Sequence, residues 1–217
     1  MTQPLTIALP KGRIAEEFAP LLAKVGIRPE PAFFDANSRQ LQFACEASAV
    51  RLIRVRSFDV ATFVAFGAAQ LGVCGSDVLM EFGYPDIYSP LDLQIGHCRL
   101  SVACPTEASS ESLATVSHIR VATKYPNMTR KFFADAGIQA ECITLSGAME
   151  LAPALGLSRY IVDLVSSGKT LIANGLVEKQ VICEVSSRLI VGRTAFKTRN
   201  SDISNLIERF REAVDGR

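Results

Sequence analysis

Short apolar runs alternate with amphipathic stretches along the whole chain. Residues 5–9 (LTIAL) read as a buried strand. Behind them Ile14, Phe18, Leu21, Leu22 and Val25 recur at helical spacing, and Gly26 supplies a stop. The runs 41–45 (LQFAC), 50–55 (VRLIRV) and 71–74 (LGVC) predict strands, and a helix capped by Ser57 and running to Ala65 fills the gap between the last two. RLSVAC (99–104) predicts a strand followed by a polar stretch over 106–118. The pattern restarts at IRVAT (119–123), after which Pro126 opens and Gly137 closes a helix carrying Met128, Phe132 and Phe133. ECITL (141–145) and YIVDLV (160–165) predict strands around a helix that Ser146 caps and that carries Met149, Leu151 and Leu155. A short helix opens over 170–174, VICEV (181–185) and RLIVG (188–192) predict strands, and Ile203, Leu206, Ile207, Phe210 and Val214 mark a final helix. This alternation implies the α/β class, with largely parallel sheets.

Two segments share one plan: IALPKGRIAEEFAPLLAKVGI (7–27) and VATKYPNMTRKFFADAGI (121–138), in which Lys11 and Lys124 take matching strand-to-helix corners. Two doubly wound α/β lobes account for the echo; so does the general likeness of βα units. With two lobes, the ligand site is expected in a central cleft, between the carboxyl ends of their strands. The expected division is 1–95 with 186–217 as lobe I, the chain crossing over and returning, and 96–185 as lobe II.

Composition narrows the function. Of 217 residues 48% are apolar and 21% charged, which excludes a disordered, collagen-like or coiled-coil chain. Lys and Arg number 23 against 22 Asp and Glu, a net charge of +1, so there is no electrostatic case for nucleic acid or an anionic membrane, and any anion site is local. No apolar run approaches the ~18 residues of a membrane span, and the N-terminus carries no secretory pattern. The six cysteines form no CxxC pair and sit mostly in apolar runs, as expected of buried, reduced thiols in a cytoplasmic protein. His97 and His118 are too few for a zinc cluster and read as structural or surface residues.

The chemistry concentrates in ELAPALGLSRYIVDLVSSGKTL (150–171). An apolar strand delivers Asp163, and the polar turn Ser166, Ser167, Gly168, Lys169, Thr170 opens a helix. Such a turn offers backbone N–H groups and hydroxyls to a phosphate, and an acid just upstream can accept hydrogen bonds from ribose hydroxyls. A sugar phosphate thus fits one continuous element; a plain capped connection is the other reading. A phosphate-binding GxxxxGK[ST] loop needs glycine at position 163, where this chain has Asp163.

This segment resembles the signature of the ATP phosphoribosyltransferases: Glu150, Gly156, Ser158, Ile161, Asp163, Leu164, Val165, Ser167, Gly168, Thr170 and Leu171 stand in register. LPKGR (9–13), SRQL (38–41), RSFDVATFVAFGAAQLGVCGSDVL (56–79), LDL with HCRLSVA (91–103), RVATKYPN (120–127) and SSRLIVGR (186–193) resemble the same family in order, so the likeness covers nearly the whole chain.

The resemblance implies a two-lobed, type II periplasmic-binding-protein-like fold and the first step of histidine biosynthesis. There the adenine ring nitrogen of ATP attacks the anomeric carbon of phosphoribosyl pyrophosphate and pyrophosphate leaves. It also implies Mg²⁺ on the substrate diphosphate with no protein ligand, and catalysis by positioning and charge stabilisation. Since the sequence stops at Arg217, it resembles the family's short form, which works as a homodimer within a hetero-octamer with a regulatory subunit resembling histidyl-tRNA synthetase. Phosphoribosyl pyrophosphate is assigned to Asp163, Ser166, Ser167, Gly168, Lys169, Thr170 and Glu150. Arg13 and Arg39 are the catalytic candidates on pyrophosphate or ATP phosphates, and Lys11, Arg56, Asp77 and Lys124 are the nucleotide-side candidates. A cation at a helix start is disfavoured by the helix dipole, so Arg13 points to an anionic ligand unless it is a solvated surface charge. A non-catalytic two-lobed small-anion binding protein is the alternative function.

Overall fold

The computed structural model describes residues 3–35, 37–46, 49–113 and 116–216. In chain order the elements are β1 (Leu5–Pro10), α1 (Arg13–Lys24), β2 (Arg28–Pro29), a 3₁₀ turn (Pro31–Phe33), β3 (Gln42–Glu46), β4 (Val50–Val55), α2 (Ser57–Ala65), β5 (Leu71–Gly75), α3 (Ser76–Phe82), β6 (Ile87–Asp92), β7 (Cys98–Pro105), a 3₁₀ turn (Thr106–Ala108), β8 (His118–Thr123), α4 (Pro126–Asp135), β9 (Gln139–Thr144), α5 (Leu151–Ala154), β10 (Tyr160–Val165), α6 (Lys169–Ala173), β11 (Leu176–Val185), β12 (Ser187–Gly192), α7 (Arg193–Thr198) and α8 (Asn200–Asp215). The chain divides into two compact units: the residues up to Gly96 together with those from Ser186 onward, and His97–Val185.

The first unit is built on the sheet β2-β3-β4-β1-β5-β12-β6. β1 is buried on both faces, as a central strand must be. Ile7 and Leu9 join α1 and α8 residues Phe18, Leu21, Leu22, Ile203, Ile207 and Phe210 on one side. Ala8 meets Val60, Ala61 and Val64 of α2 on the other. The Phe18 and Phe210 rings stack with centroids 5.3 Å apart, which seats the last helix on the first. The second unit has the sheet β11-β7-β10-β8-β9, with Ala103, Ala122, Ile161 and Val165 packed against Met149, Ala152 and Leu171 of the α5 and α6 region.

The sheets are mixed rather than largely parallel. Among the described residues β1–β4, β1–β5, β8–β10 and β8–β9 run parallel, and the other pairings are antiparallel. An apolar run reports burial, not direction. Direction follows the connection, since parallel neighbours need a long crossover, whereas β3 and β4 lie three residues apart. Two expected caps also differ. Ser57 is the first residue of α2, Arg56 occupies the N-cap in extended conformation, and no side chain caps that helix. The helix expected from Ser146 is only four residues long with Glu150 at its N-cap. Ala148 at φ 54° interrupts the earlier turn, and Leu151 and Leu155 face solvent instead of a core. Cys74 and Cys104 are buried, and the other four cysteines are half-buried on strands rather than fully inside.

Candidate functional site

In the first unit β1, β4 and β5 are adjacent and parallel, so their carboxyl ends share one edge. Pro10 pairs with Val55, which brings the following residues, Lys11 and Arg56, to that edge. Gly12 carries the chain from β1 into α1 at φ 79°, ψ −147°, a conformation open to glycine and strained for other residues. Arg13 then occupies the first helical position and forms an ion pair with Glu17 at 3.5 Å. Glu17 Oε2 in turn accepts the Gly96 N–H at 2.7 Å. Asp77, the second residue of α3, leaves the end of β5 and is 3% exposed. Its charge adds to burial in pushing the neighbouring Cys74 thiol well above the ordinary thiol range, so that thiol stays protonated. Arg39 lies in the segment leading into β3, which runs antiparallel to β4 with the Arg54 N–H donated to the Leu41 carbonyl. That pairing places Arg39 toward the carboxyl end of β4.

A cavity of about 220 Å³ opens beside this edge, lined among others by Lys11, Gly12, Phe33, Asp35 and Arg54. Arg54 is 8% exposed, its guanidinium lies 4.6 Å from the Phe43 ring centroid, and it donates to the Phe33 carbonyl. Nothing in the sequence singles out this cation, because the run VRLIRV registers as a strand whatever its charged members do.

In the second unit β8, β9 and β10 are parallel neighbours. Lys124 follows β8 as Lys11 follows β1, one residue before a helix N-cap in each case. Thr123 braces that corner: its hydroxyl donates to the Val162 carbonyl at 2.8 Å and accepts the Tyr125 N–H at 2.9 Å. Glu150 sits at the N-cap of α5 in the connection that leaves β9. Asp163 is half-buried on β10, and its Oδ1 accepts the Leu164 N–H at 2.8 Å. Ser166, Ser167, Lys169 and Thr170 are exposed. Gly168, at φ 74°, is the N-cap of α6, and the Ser167 hydroxyl accepts the Lys169 N–H at 3.5 Å. The structure thus brings Asp163 and the turn into one strand–turn–helix element.

Three side chains beside this turn carry no signal of their own in the sequence. Arg99 donates through Nε and Nη2 to the Glu178 carboxylate and through Nη1 to the Ser166 carbonyl at 3.3 Å. The Ser101 hydroxyl donates to Glu178 Oε1 at 2.7 Å. The Arg99 hydrogen bonds hold the Glu178 carboxyl below the usual carboxylate range; burial opposes this and Ser101 assists. Among the described residues no group of three or more His, Cys, Asp or Glu is placed to hold a metal ion, and no helix is long and apolar enough to cross a membrane.

Comparison with known proteins bears on this arrangement. The family model for ATP phosphoribosyltransferase (HisG) matches residues 56–212. The ATP phosphoribosyltransferase of Rhizorhabdus wittichii is 62% identical over 216 residues, covering 99% of this chain and 98% of the relative. Among solved structures, the ATP phosphoribosyl transferase (HisG:HisZ) complex from Thermotoga maritima superposes with a TM-score of 0.82 at 29% identity, covering 98% of this chain and 100% of that one. The periplasmic aliphatic sulphonate binding protein SsuA from Escherichia coli superposes with a TM-score of 0.60 at 13% identity, covering 98% and 69%, a likeness of fold alone and no support for a binding protein without catalysis. On the match of sequence, motif and fold, the chain belongs to the ATP phosphoribosyltransferase family, the enzymes that transfer the phosphoribosyl group of phosphoribosyl pyrophosphate to ATP in histidine biosynthesis.

Proposed function

We propose that the strand–turn–helix of the second unit holds phosphoribosyl pyrophosphate, with the ribose diol on Asp163 and the 5′-phosphate on Ser166, Ser167, Gly168, Lys169 and Thr170. The single observation that carries this reading is the geometry of the turn. Gly168 in the left-handed region bends the exposed backbone directly behind an acid-bearing strand, so amides and hydroxyls are available to one phosphate. Glu150 contributes from the neighbouring connection. Lys11, Arg56, Asp77 and Lys124 contact the nucleotide, and Arg13 and Arg39 meet the departing pyrophosphate. As the glycosidic bond breaks, the sugar gains positive and the pyrophosphate negative charge, so fixed cations favour the transition state over the ground state. Mg²⁺ enters this proposal only on the substrate diphosphate, with substrate oxygens and water as its ligands. We further propose a cytoplasmic enzyme that assembles as a homodimer within a hetero-octamer with a separate regulatory subunit resembling histidyl-tRNA synthetase, a reading supported by the HisG:HisZ composition of the Thermotoga maritima neighbour.

Asp163→Asn and Thr170→Ala test the substrate assignment. Each removes a hydrogen bond to a charged or hydroxylated ligand, a loss of about 1.5–3 kcal/mol or about 10- to 150-fold in affinity. Titration calorimetry with phosphoribosyl pyrophosphate and Mg²⁺ is expected to show that loss with an unchanged unfolding midpoint. Intact affinity in both variants refutes the assignment.

A further inference from the structure

Resting on that reading of the turn, we propose that Arg99 is a positioning residue for phosphoribosyl pyrophosphate: clamped by Glu178 and Ser101, it fixes the orientation of the first peptide group of the phosphate turn. β7 lies between β11 and β10 in the sheet. In the antiparallel register of β7 and β10, Ser101 stands opposite Asp163 and Arg99 opposite Val165, so these side chains share a face. On that face the bonds run in series. Ser101 holds Glu178 at 2.7 Å, Glu178 holds the Nε and Nη2 edge of the Arg99 guanidinium, and Nη1 reaches the Ser166 carbonyl at 3.3 Å.

Rigidity makes the series effective. A guanidinium is planar and its donors form a fixed fork, so a carboxylate that grips one edge also sets the direction of the remaining N–H groups. The peptide bond is planar and trans, so the carbonyl of residue 166 and the N–H of Ser167 point in opposite directions. Holding the Ser166 oxygen toward Arg99 therefore aims the Ser167 N–H to the other side, where it serves as the first amide of the turn. The ion pair also balances its own charge. Arg99 adds little net attraction for an anion in general, and its contribution is geometry.

The test uses the full chain and two ligands measured separately: Mg²⁺ with phosphoribosyl pyrophosphate, and ATP. Arg99→Met is expected to weaken phosphoribosyl pyrophosphate binding by about tenfold or more, the scale of a lost charge-assisted contact, while ATP affinity stays within about twofold. The amide NMR resonances of Ser167 and Gly168 are expected to shift in the ligand-free variant. Arg99→Lys is expected to recover only part of the affinity, because an ammonium cannot keep the fork. Unchanged phosphoribosyl pyrophosphate affinity, equal losses for both ligands, or full rescue by lysine overturns the proposal. Should Arg99→Met not fold, Glu178→Gln decides in its place: it keeps the size of the side chain, loosens the grip on the guanidinium, and is expected to weaken phosphoribosyl pyrophosphate alone. Wild-type protein that fails to bind phosphoribosyl pyrophosphate refutes the reading of the turn itself, whereas normal wild-type binding with an indifferent Arg99→Met refutes only the role of Arg99.

Discussion

Arg13 illustrates how a single side chain separates structure from function. It stands at the first position of α1, where the helix dipole disfavours a cation, and its Glu17 pair is half-exposed. An exposed i,i+4 pair stabilises by only about 0.3–0.5 kcal/mol, so Arg13→Ala is expected to leave the unfolding midpoint almost unmoved. Turnover, in contrast, is expected to fall more than ground-state affinity for either substrate, because on the proposed assignment the charge that Arg13 meets develops as pyrophosphate leaves. Arg39→Ala, on its exposed segment, is expected to behave alike, with partial rescue by lysine in both positions. Steady-state kinetics beside direct binding separates the effects; lost affinity with intact turnover makes these residues substrate clamps instead. Lys11 and Arg13 are legible as candidates because they stand as cations at a strand-to-helix corner, and Asp163 because it is an acid in an apolar run that a polar turn follows. Arg54, Thr123, Arg99 and Glu178 are not, since each lies inside a strand-like run or corner and acquires its partner only through the fold, Arg54 from the 3₁₀ turn at Phe33 and the others across the sheet.

At the scale of elements, the ties between strands set a pH dependence. Glu178 joins β11 to β7 through Arg99, whose hydrogen bonds lower its pKa from the ordinary 4.5. A carboxyl lowered on folding stabilises the native state above its unfolded pKa, and that stability is lost as pH falls through the folded value. The difference in unfolding midpoint between wild type and Glu178→Gln is therefore expected to be constant above about pH 5 and to shrink below it. A difference that grows on acidification contradicts the pair. The same scale shows what periodicity can and cannot deliver. VRLIRV and YIVDLV coincide with β4 and β10 residue for residue, and the 203–214 stripe lies within α8, whose apolar face is buried. β6 and α7 carry no such signal. IYSPLD carries a proline and half-buried positions on an edge strand, and α7 buries none of its residues, so neither has a periodic apolar face to announce it.

For the molecule as a whole, a net charge of +1 leaves anion recognition to the few groups that the two sheets place at their strand ends. Each unit has its own sheet and its own buried cluster, so ligand-linked stabilisation is readable unit by unit. A ligand at a hundred times its dissociation constant stabilises the state that binds it by about 2.7 kcal/mol, and amides whose exchange passes through opening of that unit slow accordingly. Hydrogen exchange with Mg²⁺ and phosphoribosyl pyrophosphate is expected to slow amides over 163–173 most, in the β10 end, the turn and α6. ATP alone is expected to slow those after β1, β4 and β5, at Gly12, Ser57 and Ser76. Protection by phosphoribosyl pyrophosphate confined to the first unit would reverse the allotment of substrates. It would also move the phosphate site to the Gly12 corner, where Lys11 stands as Lys124 does in the second unit.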